Sequence, residues 1–404
     1  MKMKKFTQNS LVNRIRQADS SRQPEHLPLK YKAMRESAFR FFRATPYLFY
    51  QDWMVDTMFK GHPHSWVCGD FHLENLGSYR ADNGQVYFDI NDFDESILAP
   101  CTVDVARLLT SLFVAAPDLN LSPLSSQMLA RKFLEAYCQT LIRGKPRSLE
   151  RETAQGVLKQ FLNRAADQTQ SELIDEHTKG RGQDRRLKSK KGAIITFSDM
   201  ERDRLLAWLN PILSQRDGAR PLDIAFRIAG TNSLGLNRYV ALIQTAAGKR
   251  KLLDIKAARP SVALPYFADQ QPNWPNEATR IVTLQQRLQD VSPGGLSSQE
   301  GPEQEFFVMR VLQPQADRLK ILTKSMRKGD RLLKLLNRVA QLLASAHLRS
   351  GGQQGSAITD DLIAFAKNPL WVSEVIEKSE AYSHQVQQDY LNFCSLKDNE
   401  LITS

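Results

Sequence analysis

The stretch from Val67 to Glu95, VCGDFHLENLGSYRADNGQVYFDINDFDE, constrains this chain more than any other. Asp82-Asn83-Gly84 stands between two apolar runs. Asn-Gly in that setting is a strong hairpin signal, because a tight primed turn needs positive φ. Trp66 and Val67 precede the first loop, Leu73 and Leu76 sit within it, and Val86, Phe88 and Ile90 read as a strand. Asp70, His72, Glu74 and Asn75 lie ahead of the hairpin, and Asp89, Asn91, Asp92, Asp94 and Glu95 lie at its far end. Two acidic clusters at the two ends of such a unit can face one space. Carboxylates packed that closely repel unless a proton or a cation sits between them.

Asp70 and Asn75 are five residues apart on one short loop. Phosphoryl transfer needs a carboxylate to orient and deprotonate the acceptor hydroxyl, and an amide oxygen for a divalent metal beside it. A metal-binding aspartate must then come from the end of the next strand, and Asp89, Asp92 and Asp94 supply it. The plainer reading is an acidic surface turn, which leaves this many carboxylates and amides around two apolar strands unexplained. A metal-hydrolase reading draws on His62, His64, Asp70, His72 and Asp92, but no HxxxH or HExxH spacing accompanies them.

The chain has 404 residues, 42% of them hydrophobic, which allows a large core and favours two lobes over one. Its net charge of +11 points to an anionic partner: nucleotide, phosphorylated substrate, nucleic acid or anionic surface. Cys68, Cys101, Cys138 and Cys394 form neither a disulfide framework nor a CxxC pair, as in a reducing compartment. The basic start MKMKKFTQNS leads into no apolar segment, so the expectation is a cytoplasmic protein that does not enter a membrane.

Residues 1–30 read as a loose arm or a short helix. Phe39, Phe41, Phe42, Tyr47, Phe49, Tyr50 and Trp53 then interleave with Arg35, Arg40 and Arg43. Single-stranded nucleic-acid grooves share that pattern. With no sheet or glycine-rich platform nearby, a core helix whose arginines pair with carboxylates is the preferred reading. Helices are expected over 102–116, from Ser122 or Ser125 to about 142, and over 149–175. Asp104, in the first turn of 102–116, either caps that helix or holds the preceding loop. Residues 177–192 carry seven Lys or Arg and three Gly, and read as a solvated loop or an anion-binding segment. Short strands at 224–229, 238–245, 251–257 and 305–312, with a helix at 277–288, make a small antiparallel sheet. Helices at 329–350, 359–366, 371–378 and 381–394 follow, the first closed by Gly351 and Gly352. The fold class is α+β.

A second constellation lies in that sheet. Gly230, Ser233 and Gly235 form a turn whose backbone N–H groups can cover phosphates. Lys256, in the apolar strand LLDIKA, can pair with the α/β-phosphates of a nucleotide. The turn lacks the Lys-Ser/Thr of a Walker loop, and a hairpin with a snorkelling lysine is the plain alternative. A lysine there needs an acidic partner. Glu277 is the candidate, unless it merely starts its helix, with Arg280 one turn on.

On these residues the chain resembles a bacterial family of unknown function, DUF2252. The resemblance is carried by Cys68-Gly-Asp70-Phe-His72-Leu-Glu-Asn75-Leu-Gly77, by Asp89-Ile-Asn91-Asp92-Phe-Asp94-Glu95, and by Pro100 with Asp104-Val-Ala-Arg107. It continues in Arg227 to Tyr239, Lys256 to Ser261, and Ala346-His347-Leu-Arg349-Ser-Gly351, and covers most of the chain. That family in turn resembles the aminoglycoside phosphotransferase and choline kinase branch of protein-kinase-like folds.

The resemblance implies Asp70 as catalytic base with His72 beside it, orienting it or packing. It implies Asn75 as a metal ligand and Asp104 as the tie for the catalytic loop, with Arg107 and His347 as structural neighbours. Among the metal aspartates Asp92 is preferred, with Asp89 and Asp94 behind it. Cys68 replaces the usual His. The order departs from ordinary kinases, because the glycine turn and lysine follow the catalytic loop. The implied arrangement is a circularly permuted two-lobe fold: 1–215 as the first part of the large lobe, 216–312 as the nucleotide-binding small lobe, 313–404 as the remaining large-lobe helices. Lys256 and Asp92, 164 residues apart, are then expected to meet across a cleft. The implied activity is ATP- and Mg2+-dependent phosphotransfer to a small molecule, with arginines of 35–43 or 179–191 holding an anionic substrate. Nucleotidyl transfer in the same cleft, and non-catalytic nucleotide or nucleic-acid binding, are the alternatives.

Overall fold

The computed structural model describes residues 8–54, 58–230, 234–313, 319–323, 326–327 and 330–401. The chain opens with helices α1 (Gln8–Asp19), α2 (Leu27–Met34), α3 (Ala38–Ala44) and α4 (Pro46–Trp53). Of the loose arm or short helix expected over residues 1–30, the described part, from Gln8 onward, is largely helical. Ser37 starts α3 by accepting a bond from Arg40 N. The aromatic side chains of α3 and α4, from Phe39 to Trp53, are buried in the main core rather than arrayed on a surface.

The stretch that organises the sequence forms β1 (His64–Val67), β2 (Leu76–Arg80), β3 (Val86–Ile90) and β4 (Ile97–Pro100). β2 pairs antiparallel with β3 across the Asp82–Gly84 turn, where Gly84 has φ +78°. β1 pairs with β4, His64 opposite Pro100 and Val67 opposite Ile97. The result is one long hairpin interrupted halfway. Residues 68–75 and 91–96 leave the ladder at the same level, so the two acidic clusters meet.

Helix α5 (Thr102–Ala115) follows and is buried throughout. Then come α6 (Pro123–Arg143), capped by Ser122, α7 (Gly156–Asp167) and α8 (Gln170–His177). The single helix expected over 149–175 is divided because Thr169 and Glu172 form a capping box that starts α8 afresh. The basic segment contributes the two-residue strands β5 (Thr178–Lys179) and β6 (Arg186–Leu187).

Next are β7 (Ile194–Thr196), α9 (Asp199–Asp217), β8 (Arg220–Arg227), β9 (Arg238–Gln244), β10 (Arg250–Ala257), α10 (Leu264–Phe267), α11 (Glu277–Leu288), β11 (Ser297–Glu300) and β12 (Phe306–Val311). Their strands form one antiparallel sheet in the order β11-β12-β10-β9-β8-β7. Leu205, Leu209 and Leu213 of α9 lie on one stripe and pack with Ile224, Tyr239, Ile255, Phe307 and Met309 of the sheet. Leu173 and Ile174 of α8 pack with Ala225, Val240, Leu242 and Leu252 on its other side. The packing partners of the sheet therefore begin well upstream of the expected boundary at 216.

The chain closes with α12 (Arg331–Arg349), α13 (Thr359–Lys367) and α14 (Trp371–Ser395). The break expected between 378 and 381 does not occur. No proline or glycine interrupts α14, and Val375, Ile376, Ser379, Tyr382 and Val386 share its buried face. α12 packs along α6, and α14 along α5, completing the main core. Among the described residues no helix is long and apolar enough to cross a membrane.

The tightest crossing of the interrupted hairpin is at Gly69. It has φ +80°, and a Cβ there would collide with the carbonyl oxygen of Glu95. Gly69→Ala is expected to cost about 3 kcal/mol or more in urea unfolding, whereas Gly84→Ala costs about 1 kcal/mol of conformational strain. Gly84 also has positive φ, but open space around it. Equal losses in the two variants would contradict the close approach.

Candidate functional site

Helix α5 sets the first loop. From its first turn, Asp104 Oδ2 accepts from Cys68 N at 2.8 Å and Oδ1 from Gly69 N at 2.9 Å. Of its two expected roles, Asp104 holds the loop. His347 Nε2 stands 3.5 Å from Asp104 Oδ2, with Tyr137 Oη 2.8 Å from its other ring nitrogen. One turn along α5, Arg107 Nε donates to Asp70 Oδ1 at 2.8 Å and Nη2 to Phe42 O at 2.8 Å. Its guanidinium also lies 3.6 Å from the centre of the Phe42 ring. Burial pushes the Asp70 carboxyl up to about 6, with Arg107 pulling against it. Asp70 Oδ2 has no bonded partner among the described residues, and the side chain remains 13% exposed.

Asn75 ties the two loops together. Its Nδ2 donates to Asp70 O at 3.0 Å and to Asp92 O at 3.2 Å, and its Oδ1 accepts from Asp92 N at 2.8 Å. Asp92 presents a half-exposed carboxylate to the space beyond. Lys256 arrives from β10, bonds Asp94, and stands 3.6 Å from Asp92 Oδ1. Burial and the neighbouring Asp92 raise Asp94 above the ordinary carboxylate range, against the pull of Lys256. The structure thus brings Asp70, Asn75, Asp92, Asp94 and Lys256 together from three segments.

Glu277, expected as the partner of Lys256, instead pairs with Arg280 at 2.6 Å. The two are three apart at the start of α11 and share a face, so the local pair forms. Arg280 also donates to Asp94 O at 2.8 Å, to Arg259 O at 3.1 Å, and to Ser96 O. It thereby braces the second loop against the segment that follows the Lys256 strand. Glu95 does the same from the loop side: its Oε2 accepts from Val262 N at 2.7 Å, and its carbonyl accepts from Ser261 Oγ at 3.0 Å. Burial pushes the Glu95 carboxyl up to about 7.

Other expected residues lie differently. Asp89 Oδ1 accepts from Ile90 N at 2.8 Å, and Arg349 stands 3.6 Å from its Oδ2. Burial raises its carboxyl to about 6, and its partners are not those of Asp92 and Asp94. His72 Nε2 lies 3.3 Å from Arg43 Nε, beside the 2.6 Å Arg43–Glu74 pair and edge-on to Phe39. Arg43 is therefore committed to a carboxylate, as is Arg35 to Asp398. Gly230 and Gly235 both take positive φ. Leu234 O and Gly235 O accept bonds from Arg22 and Gln23, so the N-terminal segment covers that part of the turn. Ser233 lies outside the described residues. Among the described residues no three or more His, Cys, Asp or Glu side chains gather as a metal cage, and His62 bonds Thr102 instead.

One network escaped the sequence reading. Asp254 accepts from Arg238 at 2.8 and 2.6 Å and from Arg227 at 2.8 Å, and Arg310 Nε stands 3.9 Å away. These guanidiniums hold its carboxyl well below the usual range despite burial. The signal was present in LLDIKA: Asp254 and Lys256 alternate with apolar residues and so share one face of β10.

The chain belongs to the family described as an uncharacterized protein conserved in bacteria (DUF2252), whose model matches residues 22–396. No curated protein and no solved structure matches it.

Glu95 makes stability depend on pH. Its folded value, about 7, lies above the ordinary 4.5, so the folded state holds a proton that the unfolded chain has released. Its contribution is present at low pH and is lost as pH rises through about 7. Urea unfolding is expected to show Glu95→Gln losing on the order of 2 kcal/mol less than the unmodified protein between pH 5 and 7.5. Parallel pH profiles would refute this.

Proposed function

We propose that the protein is an ATP- and magnesium-dependent phosphotransferase acting on a small-molecule acceptor, built as a permuted, kinase-like two-lobe fold. One juxtaposition carries the reading. Asp70, Asn75 and Asp92 sit on the two loops of one interrupted hairpin, and Lys256, from a sheet 164 residues further on, stands 3.6 Å from Asp92 Oδ1. The succession of glycine turn, Lys256 strand and α11 along the sheet also supports it.

In this reading Asp70 orients the acceptor. Arg107 holds one carboxylate oxygen and leaves Oδ2 for the hydroxyl proton. A carboxyl that titrates at about 6 is ionised at neutral pH yet basic enough to take a proton in the transition state. Lys256 neutralises phosphate charge from the sheet side. Asp92 and Asn75, with Asp94 behind them, suit a hard cation that takes few protein oxygens and completes its shell with phosphate and water. Magnesium bound there would neutralise charge developing on the phosphates.

Calorimetric titration with ATP tests the proposal. Binding is expected to require magnesium and to vanish in Asp92→Ala. Asp70→Asn should retain binding but lose about 10²–10⁴-fold in turnover. The rate should fall as pH drops through about 6, because protonated Asp70 cannot accept the proton. The product mass then separates phosphoryl from nucleotidyl transfer. Absence of ATP binding at millimolar concentration would overturn the reading.

A further inference from the structure

The sheet carries a cavity on the face turned away from Lys256. Phe226 and Tyr239 are chain neighbours of Arg227 and Arg238, so they point to the opposite side of their strands. A cavity of about 460 Å³ opens there between the sheet, the start of α9, the segment before α2 and the 302–305 turn. Its walls are the rings of Phe197, Phe226, Tyr239 and Phe307. Tyr239 lies 6.0 Å from Phe197 edge-on and 5.7 Å from Phe307, so the rings form a continuous lining. Gly301 keeps that lining in place, because a side chain there would collide with the Phe307 ring.

The charges at the cavity run against the charge of the chain. In a protein of net charge +11, the lining holds the carboxylates of Glu25, Glu201, Glu303 and Glu305 against the single guanidinium of Arg204. Arg204 pairs with Glu201 at 2.8 Å and with Glu303 at 3.0 Å. Glu305 takes Arg259 at 3.0 Å and Asn237 Nδ2 at 2.7 Å. Glu25 has no ion pair among the described residues.

Tyr239 supplies an independent sign of a ligand. Its side chain is more than nine-tenths buried, and its hydroxyl has no hydrogen-bond partner among the described residues. Glu305 and Glu201, both in the lining, are the charged groups that most affect that hydroxyl after burial itself, so it faces the cavity. The ring is packed away while its hydroxyl stays open to the cavity, free to accept or donate a bond there. Aromatic faces attract cations, carboxylates neutralise them, and a phenol oxygen accepts an N–H bond.

We propose that this cavity binds a small protonated organic amine, its alkyl body against the four rings and its ammonium group shared between the Tyr239 hydroxyl and the carboxylates. The site is separate from the proposed phosphotransfer site and does not depend on that reading.

The test is calorimetric titration of the full chain at low salt with 1,4-diaminobutane and, as the uncharged analogue, 1-butanol. Diaminobutane is expected to bind and butanol not. Tyr239→Phe keeps the ring and the packing and should weaken diaminobutane about tenfold or more. Glu25→Gln, an exposed change that leaves the fold intact, should weaken it several-fold. ATP titration of the same two variants should be unchanged, which keeps this outcome apart from the fate of the phosphotransferase reading. No diaminobutane binding at 10-millimolar order, equal binding of butanol, or undiminished binding by Tyr239→Phe would each overturn the proposal.

Discussion

The carboxylate of Asp104 is the contact on which the centre of the molecule depends. A fully buried carboxylate is expensive unless its oxygens are satisfied. Here both accept backbone N–H bonds from Cys68 and Gly69, with His347 close by and the positive end of α5 behind. The loop is therefore held by its backbone, not by its side chains, which leaves the side chains for other work. Arg107, one turn further along the same helix, then sets the orientation of Asp70. One rigid element fixes both the path of the loop and the direction of its carboxylate.

The second loop is held by different means. Asn75 sews it to the first through two side-chain hydrogen bonds with the backbone of Asp92, and a third, to Asp70 O, steadies the first loop itself. Arg280 and Glu95 brace it against the chain just beyond β10. Lys256 meets Asp94 and Asp92 across this seam. The sheet that supplies the lysine has two chemically distinct faces. Toward the acidic loop it carries Arg227, Arg238, Asp254 and Lys256; toward α9 it carries aromatic rings. Strand alternation alone separates the two environments by the thickness of one sheet.

Much of the local structure was legible because its causes are local. The Asn-Gly turn, the Ser122 cap and the apolar run of α5 each announce themselves within a few residues. So did the four main strands of the sheet. α9 escaped notice because its sequence is mostly polar, with only a narrow leucine stripe, and Pro211 lies within it. The division of α7 from α8 turns on a single capping box at Thr169. Glu277 was matched with Lys256 on chemistry, but a partner three residues away on its own helix is nearer than any residue on another strand. The arginines around Asp254 were visible singly, yet nothing in the order of residues says that β8, β9 and β12 bring them to one carboxylate.

What the sequence determined by itself is the set of short-range choices: the hairpin, the helices with strong caps or continuous apolar faces, and the clustering of carboxylates on two loops. Turn geometry, capping and periodicity act over a few residues and need no knowledge of the rest of the chain. Only the tertiary structure decided which of those carboxylates share a space. Asp92 and Asp94 meet Lys256, while Asp89, a few residues away, turns to Arg349. Side-chain direction reverses at each step along a strand, and the partners come from segments more than a hundred and fifty residues distant. Their meeting is set by how the sheet docks on the hairpin, a long-range packing result that no local pattern encodes.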